Sequence, residues 1–176
     1  MSGHNKWSQI KHKKAKTDAQ KAKHFTKFSK LITDETRKAG GRKDAPGVLN
    51  AVKRAREVNM PNESIERAIK KATEAGSMAM DAITYEAYGP GGCAIIIEAL
   101  TDNRNRAAQE VKHILSKNGF ELASIGSASW AFERKGSEWN PTTTIPLEES
   151  DLALLETLVE ELEDNDEVQE VFTNVE

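Results

Sequence analysis

The chain has 176 residues, enough for one good core or two small ones. Its 38 % hydrophobic and 30 % charged content excludes a disordered chain, and its longest apolar runs are far short of the ~20 residues that span a bilayer. The formal charge of −3 averages two unlike halves: residues 1–80 carry 19 basic and 8 acidic side chains, residues 81–176 carry 6 and 20.

The basic half is densest at its start. Residues 2–43 hold thirteen Lys and Arg against three acids, and the commonest partner for such a stretch is a nucleic acid. Residues 1–16 have few apolar side chains and read as an arm. Lys6, Lys11, Lys13, Lys14 and Lys16 neutralise backbone phosphates there, with His12 beside them as a phosphate or base contact. Trp7 either stacks on an unpaired base or packs back onto the helices; the residues leave both open. No apolar stretch follows that would make this segment a secretory signal.

Thr17 and Gln20 form a capping box, and Ala22, Phe25, Phe28, Leu31 and Ile32 recur at helical spacing until Gly40 and Gly41. The spacing predicts a helix over 18–39, apolar on one side and faced by Lys21, Lys23 and Lys27 on the other. A second helix starts near Pro46 and buries Val48, Leu49, Val52 and Ala55. Pro61 ends that run and opens a third, with Ile65, Ala68, Ile69 and Ala72 inward. These are a three-helix bundle, and residues 74–80 read as a linker.

From residue 83 the pattern changes. Residues 83–88 are β-rich, Gly89 to Gly92 form a turn, and residues 93–101 read as a buried strand. A helix over 105–118, strands over 127–132 and 142–147, a helix over 149–164 and a strand over 167–173 follow. The expected fold class is therefore α+β: a basic arm and helical domain over 1–77, then a ferredoxin-like β-α-β-β-α-β domain over 78–176 with 83–88 as one extra N-terminal strand.

Chemical sites are few. Cys93, the one cysteine, lies in an apolar run and reads as an inert thiol in a reducing compartment, so the cytoplasm is the expected location. His4, His12 and His24 lack partner ligands at metal spacing, and no metal or cofactor is expected. Gly89-Pro90-Gly91-Gly92 is not followed by the Gly-Lys-Ser/Thr of a phosphate loop. Arg104 and Arg106, entering a helix from a buried strand, either converge on an anion or pair with nearby acids while Asp102 or Asn103 caps the helix. No Ser, His and acid group into a catalytic set, so a non-enzymatic role is expected. Residues 136–176 hold thirteen acids and no Lys or Arg, a surface that limits non-specific binding or docks a basic protein.

Several blocks, taken together and in order, resemble the YebC/PmpR family, which also includes a mitochondrial translational activator. They are Gly3-His4-Asn5-Lys6-Trp7-Ser8-Gln9-Ile10-Lys11-His12-Lys13-Lys14, Asn59-Met60-Pro61, Ile65-Glu66-Arg67-Ala68-Ile69, Thr84-Tyr85-Glu86-Ala87-Tyr88-Gly89-Pro90-Gly91-Gly92 and Leu100-Thr101-Asp102-Asn103-Arg104-Asn105-Arg106, with Thr143-Thr144-Ile145-Pro146-Leu147 near the end. The resemblance implies a cytoplasmic, non-enzymatic factor, described in that family either as a DNA-binding transcriptional regulator or as a ribosome-associated translation factor. It also implies a further α/β domain before the Thr-Thr-Ile-Pro-Leu segment, where this chain has only a short turn at Lys135-Gly136. The expected partner is RNA or the ribosome, with DNA as the alternative.

Overall fold

In the computed structural model, which describes Trp7 and residues 17–176, Thr17 opens helix α1 (Asp18–Lys38) by the predicted reciprocal cap. The Gln20 amide donates to Thr17 Oγ1 and the Thr17 amide to Gln20 Oε1, each at 3.3 Å. The helix stops where Gly40 and Gly41 take positive φ of 64° and 85°. Helix α2 (Pro46–Glu57) begins on its proline, and Asn59 at φ 61° turns the chain into α3 (Asn62–Lys71). Small residues (Ala51, Ala55, Ala68) let these helices approach around Ile32, Val48, Met60 and Ile65. Thr33 Oγ1 donates to the Ala68 carbonyl at 2.9 Å, tying α1 to α3 inside that core. Leu49, expected inside, is exposed on α2.

Two compact units result among the described residues: 17–80, and Asp81–Glu176 together with Trp7. In the second, β1 (Asp81–Tyr88) and β2 (Ala94–Thr101) pair antiparallel from Asp81↔Thr101 to Tyr88↔Ala94. Helix α4 (Arg104–Lys117) leads to a two-residue strand β3 (Leu122–Ala123) on the far side of β1. A hairpin follows, β4 (Phe132–Lys135) with β5 (Glu138–Pro141), then α5 (Glu149–Asp164) and β6 (Val168–Thr173), which pairs antiparallel with β2.

The class is α+β as expected, but the strands fill the sheet differently. Its order is β3-β1-β2-β6. The strand read as an N-terminal extra is β1, a central strand: it lies between β2 and β3, which α4 connects, and so splits that β-α-β unit. Residues 127–132 are mostly a turn rather than a strand, and residues 142–147 contribute only an isolated bridge, Ile145↔Val175.

Alternation along the strands sorts the two faces. Ala87, Ile95, Ile97, Val168 and Val171 pack under Val111, Leu115, Leu155, Leu158 and Leu162 of α4 and α5. On the opposite face, Ala94 and Ile96 are covered by Ala128, Ala131 and Phe132, with Trp139 and Phe172 at the margin. The hairpin is fastened there by Glu98, whose Oε1 accepts from Trp139 Nε1 at 2.7 Å and from Thr84 Oγ1 at 2.8 Å.

Candidate nucleic-acid interface

Helix α1 must bury Ile32 and partly bury Phe25, Phe28 and Leu31, which turns its lysines to the other side. Lys23, Lys27 and Lys30 follow at i, i+4 and i+7, so they share one face over about 10 Å at 1.5 Å per residue. Lys21 is exposed too, but it precedes Phe25, Phe28 and Ile32 by four, seven and eleven residues, so it stands on their side of the helix and not with the three lysines as expected. From α2, the Arg54 guanidinium lies over the Phe28 ring at 5.8 Å, adding its charge to the α1 surface. Nearer the end of α1, Lys38 Nζ is 2.6 Å from the buried Asp34 carboxylate. Lys6, Lys11, His12, Lys13, Lys14 and Lys16 lie outside the described residues.

A cleft of about 500 Å³ lined by Lys43, Glu63, Glu66, Arg67 and Lys70 is not an anion site of the same kind. Lys43 pairs with Glu66 and Arg67 with Glu63, each at 3.2 Å.

Two expected contacts are placed otherwise. Trp7 is 6 % exposed and belongs to the apolar cluster of the α+β unit, so its ring packs and presents no open face to a base. The aromatic is worth more in that core than in water, and the surrounding lysines of the sequence gave no sign of it. Arg106 donates through Nε at 2.9 Å and Nη2 at 2.6 Å to Glu167 Oε1, and through Nη2 at 2.5 Å to Asp102. Those hydrogen bonds to Glu167 and then Asp102 hold the guanidinium above its ordinary pKa. It is a clamp between the start of α4 and the entry to β6. The N-terminal end of α4 is closed to an anion by Asn103, whose side chain accepts from the Arg106 amide at 3.0 Å. Arg104 remains exposed, 3.8 Å from Asp81.

Cys93 is fully buried, and that burial pushes its thiol up to about 11, which suits packing and not nucleophilic chemistry. Among the described residues no group of three or more His, Cys, Asp or Glu is placed to hold a metal, and no helix is long and apolar enough to cross a membrane.

Sequence reasoning missed one construction. Glu86 is 5 % exposed; its Oε1 accepts from the Gly126 amide at 2.7 Å and its Oε2 from those of Ala128 and Ser129 at 2.7 and 2.8 Å. Burial alone would raise this carboxyl, but the three backbone donors outweigh it and hold the pKa below the ordinary value. The pinned loop presents Trp130, 61 % exposed, whose Nε1 donates to Tyr88 Oη at 3.0 Å. A tryptophan inside a Ser-rich segment was the one available signal, and it was read as strand.

The comparisons with known proteins agree with one another. The N-terminal domain of the TACO1/YebC protein matches residues 5–75, and the TACO1/YebC second and third domain matches residues 80–138 and 137–175, two segments that meet in the β4–β5 hairpin. A "probable transcriptional regulatory protein" of Fervidobacterium nodosum is 48 % identical over 171 residues, covering 96 % of this chain and 68 % of that one. One of the same name from Petrotoga mobilis is 46 % identical over 181 residues, covering 98 % and 70 %. The crystal structure of a conserved hypothetical protein from Aquifex aeolicus superposes with a TM-score of 0.82 at 31 % identity, covering 97 % of this chain and 96 % of that one.

Proposed function

Because the chain belongs to the TACO1/YebC family, we propose that it is a non-enzymatic nucleic-acid-binding regulatory factor whose target is RNA, in particular ribosomal RNA. The observation that carries the proposal is the lysine face of α1, Lys23, Lys27 and Lys30, continuing in sequence from Lys21 and from Lys6, Lys11, Lys13, Lys14 and Lys16. Lysines at this density bind phosphate by charge and counterion release, and irregular RNA accommodates them without base readout. The acidic half, with six cations against 20 acids, disfavours a polyanion, so the phosphate backbone is anchored on the basic half; the same acids suit a basic protein partner. Such a factor works in the cytoplasm.

The names of the relatives support the coarser reading, a regulator that handles nucleic acid, and favour DNA as the second reading. A short turn joins α2 to α3, in the manner of a helix-turn-helix pair. Yet the first turns of α3 carry Glu63 and Glu66, with Arg67 held by Glu63, and a recognition helix would set those carboxylates against the major groove. Competition decides between the two: labelled structured RNA bound to the full chain should be displaced by ribosomal RNA and poorly by duplex DNA. Displacement by a defined duplex, unaffected by random-sequence DNA, would establish the second reading instead.

A further inference from the structure

We propose that Trp130 and Tyr88 form a stacking platform for an unpaired RNA base on the helix-free face of the α+β sheet, a second contact that rests on the RNA reading above. Trp130 is 61 % exposed, Tyr88 is 38 % exposed, and Ile125 of the same loop is 94 % exposed. Three large apolar groups left in water on one short loop and its neighbouring strand end are a costly arrangement unless something covers them.

The rings are held in advance. Trp130 Nε1 donates to Tyr88 Oη, and Tyr88 Oη donates to the Ser127 carbonyl. The loop itself hangs from the buried Glu86 carboxylate by the amides of Gly126, Ala128 and Ser129. With both polar atoms already satisfied, the platform recognises a ligand through ring faces, which selects a flat π-system over a peptide backbone that needs hydrogen bonds.

Charge agrees with a base as the occupant. Residues 124–131 contain no acid, and the strand that follows supplies Arg134 and Lys135, two of only six cations after residue 80. Arg134 is stacked on Trp139 at 5.3 Å, and Lys135 is 3.2 Å from Glu133. Of the carboxylates near the platform, Glu86 accepts from three amides, Glu98 from Thr84 and Trp139, and Glu133 pairs with Lys135, while Glu170, opposite Glu98 on β6, is two strands from Tyr88. Phosphate therefore meets less repulsion here than elsewhere on the acidic unit.

The test uses the full chain, a labelled oligouridylate RNA and affinity measured across a salt series. Trp130→Leu keeps apolar bulk and removes the π-face; its affinity should fall about tenfold with the salt slope unchanged, because stacking releases no counterions. Trp130→Phe should restore most of the loss. Lys27→Gln should instead lower the slope. No RNA binding by the parent chain would sink both this platform and the RNA reading. Parent-like affinity of Trp130→Leu, with parent binding intact, would overturn the platform alone. So would a parent dimer that Trp130→Leu converts to monomer without change in RNA affinity, since the patch would then serve a second copy of the chain.

Discussion

Replacing Glu86 by Gln changes one atom and tests how the α+β unit holds its long loop. The carboxylate accepts three backbone bonds, two on Oε2 and one on Oε1. The amide can keep two by turning its oxygen toward Ala128 and Ser129, but its NH₂ then faces the Gly126 N–H. Two charge-assisted bonds weaken by about 1 kcal/mol each and one worth about 2 is lost, of which water recovers part at the exposed Gly126. The expected loss is about 2–4 kcal/mol at neutral pH, and more for Glu86→Ala. Urea unfolding followed by tryptophan fluorescence reads this unit selectively, because Trp7, Trp130 and Trp139 all belong to it. The sign with pH follows from the lowered folded pKa. The carboxylate's contribution is complete above its unfolded value of about 4.3 and is lost as pH falls through the lower folded value. The gap between parent and Glu86→Gln should accordingly close in acid. A gap below about 0.5 kcal/mol at pH 7, or one that widens as pH falls, would mean that the Glu86 carboxylate does not hold the loop.

Trp7→Ala should destabilise the same unit by about 3–5 kcal/mol, seen in urea with the two remaining tryptophans; a loss under about 1 would remove Trp7 from the core. Lys23→Gln, Lys27→Gln and Lys30→Gln should each reduce the slope of log K against log salt by about 0.7 for single-stranded RNA, uniformly across sequences, and an unchanged slope would remove α1 from the interface. Arg106→Ala should lower the thermal midpoint by freeing Glu167, 7 % exposed, from its partner, while leaving RNA affinity as it was; a selective loss of affinity would return Arg106 to the binding site.

Local signals were enough for most elements. Thr17 with Gln20, Pro46 and Pro61 bound their helices through caps and breaks acting within four residues, and the run Ile95-Ile96-Ile97 read as a buried strand. The sheet order was not legible because β1 is placed by pairing with β3, and that strand is two residues long with no pattern of its own. Residues 127–131 looked extended but curl around Glu86, about 40 residues earlier in the chain, a bond no local window contains.

The site divides the same way. Lysine spacing on α1 could be read directly, since charge and helical period are both local. Trp7, like Arg106, left two roles open in sequence: it sits in a lysine-rich stretch, whereas the cluster it joins is made of apolar residues more than 70 positions away. Arg106 showed both possible roles in sequence, and only the approach of Glu167 across 61 positions decides between them.

Cosedimentation of the full chain with ribosomes, measured as salt is raised, tests the central claim most directly. Pelleting should be strong at low salt, decline steeply as salt rises, and weaken further when Lys23, Lys27 and Lys30 are changed together to Gln. Pelleting that is indifferent to salt and to those lysines, or no pelleting alongside tight binding to one defined DNA duplex, would contradict it.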